Sequence, residues 1–148
     1  MKKLLYILPL VLLLTSCEEP ELSPRMVKIT GITIYSFPMT ASNGTSWDYA
    51  SGTDLFIDWI QGDEKKSPTQ HYIDVTNNSL PLNYELANDY MFNDLTTPVI
   101  LKLYDFDDID ANDFISQVSF NFSDRLNRET IYINENNTNL IIYLEWYY

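Results

Sequence analysis

Residues 99–122 read VILKLYDFDDIDANDFISQVSFNF. Val99 to Tyr104 is an apolar run, and Ile115, Val118, Phe120 and Phe122 make a second apolar stretch. Asp105, Asp107 and Asp113 lie between or beside them in a D-x-D-x5-D pattern, with Asp108 and Asp110 inside it. The pattern predicts a carboxylate-dense loop between two strands. Like charges crowded into one short loop cost free energy unless something cationic sits among them. A hard divalent cation fits best, and calcium takes about six to eight oxygen ligands.

Working outward, the chain predicts an all-β fold. Val27 to Phe37 alternates around Ile29, Ile32 and Ile34, with Gly31 marking a bulge. Further strands are expected over Leu55 to Ile60, His71 to Thr76, Leu80 to Leu86, Ile131 to Ile133 and Leu140 to Tyr148. In the His71 strand, His71, Ile73 and Val75 are expected on one face, with Tyr72 and Asp74 on the other. Asn, Asp, Ser, Gly and Pro clusters separate the strands. Eight short strands favour an antiparallel β-sandwich. The only helical expectation is a single turn within Glu85 to Leu95. The 11 Tyr, 7 Phe and 3 Trp are expected mainly in the core and its rims, the terminal Trp146, Tyr147 and Tyr148 included.

A second acidic loop lies upstream in SNGTSWDYASGTDLFIDWI, residues 42–60. Asp48 and Asp54 stand in a D-x5-D spacing, and Asp54 opens an apolar strand as Asp113 does. Two such loops can converge at one end of a sandwich and share cations.

The two spacings together resemble the calcium-binding loops of C2 domains. The resemblance covers residues 27–148. It implies Asp48, Asp54, Asp105, Asp107 and Asp113 as the principal ligands, with Asp110 as an additional one, for one or two Ca²⁺ ions. Leu103-Tyr104-Asp105-Phe106-Asp107 matches the phrase that ends the family's later strand. Leu80-Pro81-Leu82-Asn83-Tyr84 resembles its Asn-Pro-x-Trp-Asn stretch. Leu55 replaces a usual proline and Ser116 a usual glycine, and no lysine-rich strand supports a phosphoinositide surface. The acidic loops follow strands one and five, which matches the phospholipase-type permutation of the eight-stranded fold. A further strand between Pro24 and Asp48 would reverse that assignment. The alternative reading of both loops is a set of solvated turns. Trp47 and Tyr49 flank Asp48. They either stand at the loop tip, open to a lipid interface or a sugar ring, or pack inward as a plug.

The N-terminus predicts export. Lys2 and Lys3 precede an apolar stretch from Leu4 to Leu14, shorter than the roughly 20 residues of a membrane span. Leu14-Thr15-Ser16-Cys17 resembles the bacterial lipobox, which implies acylation of Cys17, a signal peptide over residues 1–17 and a membrane anchor of the palmitate type. The alternative is a plain secretory signal with a chance cysteine. Cys17 is the only cysteine, so no internal disulfide forms. Glu18-Glu19-Pro20-Glu21 resembles surface-export signals of Bacteroidetes lipoproteins, or serves as a solvated tether over residues 18–26. The expected location is the cell outer membrane of a bacterial envelope, with surface exposure implied by the acidic cluster.

The full chain carries 9 basic and 21 acidic side chains; removal of Lys2 and Lys3 leaves 7 against 21, a balance of −14. That excludes nucleic acid as a natural partner and disfavours uncompensated anionic lipid. His71 is the sole histidine, in no nucleophile context, so no enzyme is expected. The expected function is a lipoprotein module that binds a lipid, glycan or envelope protein through calcium-loaded loops. The alternative is a structural or accessory lipoprotein in which calcium only stabilises the loops or is absent.

Overall fold

A computed structural model describes residues 22–48, 51–67, 70–86, 90–107 and 111–148. Ten strands are present among them: β1 (Met26–Ser36), β2 (Thr53–Gln61), β3 (Glu64–Lys66), β4 (Tyr72–Val75), β5 (Leu82–Glu85), β6 (Met91–Phe92), β7 (Val99–Asp105), β8 (Asp113–Phe120), β9 (Thr130–Glu135) and β10 (Thr138–Tyr147). All pairings are antiparallel. One sheet runs β5-β1-β10-β9, with β6 also on β1; the other runs β3-β2-β7-β8, with β4 also on β2. The expected β-sandwich is therefore the observed fold, and the eight expected strands are all found.

The two additional strands are β3 and β6, of three and two residues. Each is too short to show a side-chain period. The single helical turn expected within Glu85 to Leu95 is not seen in the described part of that stretch, where Met91–Phe92 pairs with β1 instead. Short 3₁₀ turns occur at Asn77–Ser79 and Ser123–Arg125. Beyond β1, the described residues between Pro24 and Asp48 contain only one isolated bridge, Thr40 to Ser46. The acidic loops thus follow β1 and β7, the latter being the fifth of the eight expected strands. The count behind the phospholipase-type order is unchanged.

The core forms because alternate residues of each strand face inward. From β1 these are Val27, Ile29, Ile32 and Ile34, all buried; from β7 they are Val99, Leu101 and Leu103. The step from Ile29 to Ile32 is odd because the register slips between Ile29 and Gly31, so the expected bulge is present. A similar slip at Leu103/Tyr104 lets Ile115 and Ser116 both turn inward on β8. Ser116 meets Thr138 of β10 through a buried hydroxyl pair at 2.7 Å. The residue that replaces a family glycine thus joins the two sheets.

One alternation fails. Ile73 is 67% exposed, whereas Val75 is buried. Asp74 between them has φ +54°. A left-handed residue breaks the two-residue period, so the expected face of His71, Ile73 and Val75 does not form. His71 lies ahead of β4 and stacks on Phe106, with ring centroids 4.6 Å apart.

Strand polarity sets the layout of the ends. β1 leaves the Leu22–Arg25 segment and travels 11 residues, roughly 35 Å, to the first acidic loop. β10 runs back, with Ser36 opposite Asn139 and Met26 opposite Tyr147. The acidic loops and the β9–β10 turn therefore share one end, and Leu22 and Tyr148 lie at the other.

Candidate functional site: the acidic end

Three adjacent strands bring the aspartates together. Asp105, the last residue of β7, lies opposite Leu55 of β2 on one side and Asp113, the first residue of β8, on the other. Asp54 therefore enters beside Asp105, and its backbone N–H donates to Asp105 Oδ1 at 2.6 Å. The Phe106 N–H donates to the Asp54 carbonyl at 2.8 Å and closes the junction.

Asp54 is held in turn. Its Oδ1 accepts the Asp74 N–H at 2.8 Å. That contact depends on close approach of two backbones. A Cβ on Gly52 would stand 2.5 Å from the Asp74 carbonyl carbon and 2.6 Å from the Val75 oxygen. The positive φ of Asp74 and the bare Gly52 are thus two halves of one fit. The second acidic loop is shaped by Asn112, whose Oδ1 accepts the Asp107 N–H at 3.1 Å.

The electrostatics follow from this packing. Asp105 is 1% exposed. Desolvation pushes its carboxyl up to about 6, against the pull of the Asp54 N–H, and the charges of Asp48, Asp107 and Asp54 push it further. Four of the expected ligands, Asp48, Asp54, Asp105 and Asp107, therefore act on one another across the two loops. Asp113 faces Asp105 in register but is exposed. Among the described residues, no three His, Cys, Asp or Glu side chains are grouped closely enough to hold a metal ion. Asp110 and Tyr49 lie outside the described residues, as does Cys17.

The donor set is all oxygen, which suits calcium. Asp54 and Asp105 each commit one oxygen to a backbone N–H and keep a second for a cation. The described fit is partial, with two anchored carboxylates and two more within electrostatic reach.

Trp47 is half-buried and packs against the core, and its Nε1 donates to the Pro38 carbonyl at 2.9 Å. Sequence reasoning missed Asp74, His71 and Asn112, which reach this end through backbone or ring contacts. Only Gly52, two residues before Asp54, signalled a close approach in the sequence.

No protein-family model and no curated protein matches this chain. Solved structures do match. A structure of a C2 domain aligns at TM-score 0.55 and 9% identity, over 83% of this chain and 98% of that one. The two C2 domains of extended synaptotagmin 2, in a calcium-bound structure, align at TM-score 0.55 and 15% identity, over 84% of this chain and 46% of that one. Human GIVD cytosolic phospholipase A2, in complex with a fluorophosphonate, aligns at TM-score 0.57 and 14% identity, over 84% of this chain and 17% of the phospholipase. The chain has a C2-like fold.

Proposed function

We propose that the protein is a non-catalytic, calcium-binding module. Its two acidic loops take up Ca²⁺ at one end of the sandwich and present it to a ligand. The observation that carries this reading is Asp105. It is a buried carboxylate whose charged neighbours are Asp48, Asp107 and Asp54, all of one sign. Asp48, Asp54, Asp105, Asp107 and Asp113 are the proposed ligands, with Asp110 from the same loop. Bound calcium would supply the positive charge that this cluster lacks.

The protein is further proposed to be a lipoprotein held through acylated Cys17 in a bacterial outer membrane. The layout supports an outward-facing site, because the chain enters at the end opposite the acidic loops. A protein already fastened by acyl chains gains little from calcium-driven recruitment to its own membrane. The stacking of His71 on Phe106 supports packing as its role.

Calcium titration of the purified protein, by calorimetry and thermal unfolding, tests the reading. The expected affinity is in the range of about 10⁻⁴–10⁻³ M typical of extracellular modules. Calcium at a hundredfold its dissociation constant should stabilise the fold by about 2.7 kcal/mol. Asp107→Asn with Asp113→Asn should abolish that gain. An equal rise in melting temperature in the double variant would move the site elsewhere. Calcium that stabilises the loops without enabling capture of any ligand would favour a purely structural ion.

A further inference from the structure

A groove of about 690 Å³ opens at the acidic end, between the β1–β2 loop, the start of β8 and the β9–β10 turn. Thr40, Ser42, Trp47, Phe114 and Asn137 are among its lining residues, and none of the lining residues is charged. In a chain of net charge −12, beside two acidic loops, an uncharged groove is a distinct surface.

Its walls are built in advance. The β1–β2 loop folds on itself through the Thr40–Ser46 bridge and the Ala41 N–H to Thr45 carbonyl bond at 2.9 Å. Asn43 Oδ1 accepts both the Thr45 N–H and the Thr45 hydroxyl, at 3.0 and 2.7 Å. Trp47 is pinned by its bond to Pro38 and packed on the core. Phe114 is 50% exposed, propped edge-to-face against Tyr104. Asn137 sits in a tight turn with φ +60°.

These features choose among ligands. A loop that enters a lipid interface projects apolar side chains at its tip. Here the tip is Ser42-Asn43-Gly44-Thr45, and the nearest tryptophan is tied inward. An anionic ligand meets the field of the acidic loops. The volume is that of a small-molecule site, in the range of about 300–1,000 Å³. Aromatic side chains beside hydroxyl and amide groups, without charge, complement a ligand that has both C–H faces and hydroxyls.

We propose that this groove binds a neutral saccharide. Trp47 and Phe114 contact the sugar's C–H faces, and Thr40, Ser42 and Asn137 bond its hydroxyls. The proposal deepens the calcium reading by naming the ligand class of the same end, and rests on it for the outward direction of that end. The groove residues are separate from the carboxylates, so the two can fail independently.

The test is calorimetry and tryptophan fluorescence on the purified protein with maltotriose, cellotriose, xylotriose, mannotriose and chitotriose, each with Ca²⁺ and with EDTA. At least one sugar should give saturable binding. Phe114→Ala and Ser42→Asp should each weaken it roughly five- to tenfold, the worth of one aromatic contact, without changing the calcium titration. Saturable binding by none of the five, or binding that both variants leave intact, would overturn the proposal while a positive calcium titration still stood. Sugar binding that persists in EDTA with a silent calcium titration would uphold the groove and remove the calcium reading. Capture of neutral phosphatidylcholine vesicles that is lost in Phe114→Ala, with no sugar bound, would make the groove a lipid contact.

Discussion

Asp58 and Asp105 sit on β2 and β7, neighbours in one sheet, and both are buried, at 2% and 1% exposure. Their surroundings differ. Asp58 Oδ2 meets Lys65 Nζ at 2.7 Å, and its Oδ1 accepts the Ser67 hydroxyl. Lys65 arrives by the shortest route, a hairpin through Gly62 and Asp63 that lays β3 on β2. Asp105 receives one backbone N–H, and the charges acting on it belong to carboxylates. Burial alone therefore does not separate a structural carboxylate from a functional one. The sign of the neighbouring charge does.

The contrast is sharpest at neutral pH without calcium. Asp105→Asn keeps an acceptor for the Asp54 N–H and removes the charge. It should raise stability by up to about 3 kcal/mol, since a rise to about 6 is roughly two units at ~1.4 kcal/mol each. A denaturant midpoint that stays put or falls would break the comparison. The pH dependence has a definite sign. The folded state holds the Asp105 proton near pH 6, whereas the unfolded chain releases it near the ordinary carboxylate value of 3.8. Between those values the folded state binds more protons, so this group's contribution to stability rises as pH falls from about 7 to about 4. The advantage of Asp105→Asn over the natural chain should shrink across that window.

A smaller effect is expected from Gly52→Ala. Its new methyl must displace the Asp74 backbone, at a cost of about 2 kcal/mol in unfolding free energy. Because Asp74 holds Asp54, calcium affinity should fall with it; a stable variant with unchanged affinity would show that this anchor is dispensable. The smallest change belongs to Asp58→Asn. Lys65 is 58% exposed and can turn to water, so the loss should be about 1 kcal/mol, with the calcium response intact. A lost calcium response there would show that the two aspartates are not independent.

The strands were legible wherever a side-chain period could run. Val27 to Phe37 and Val99 to Tyr104 alternate over enough residues to declare an inward face, and both formed. β3 was not legible by that rule, because Glu64-Lys65-Lys66 has no apolar member, although Gly62-Asp63 is a hairpin signal in itself. Ile73 misled because the left-handed Asp74 resets the alternation, and nothing in a one-dimensional pattern marks a conformation imposed by Gly52 from another strand. At the acidic end, the spacing of Asp48, Asp54, Asp105 and Asp107 carried the information. The uncharged groove did not, since its lining comes from three separate connections.

The course of β1 has a mechanical consequence. The strand joins the two ends of the molecule, flanked by β10 along its length and by β5 and β6 on its other side. A pull entering ahead of Leu22 and resisted at the acidic loops would travel along β1. The hydrogen bonds to β10 and β5 lie across that force and share it in shear, instead of opening one by one like a zipper. Resistance to such a pull is governed by the unfolding rate and not by the equilibrium stability. A domain tethered at one end and gripping at the other is thereby arranged to transmit tension through its most heavily paired strand.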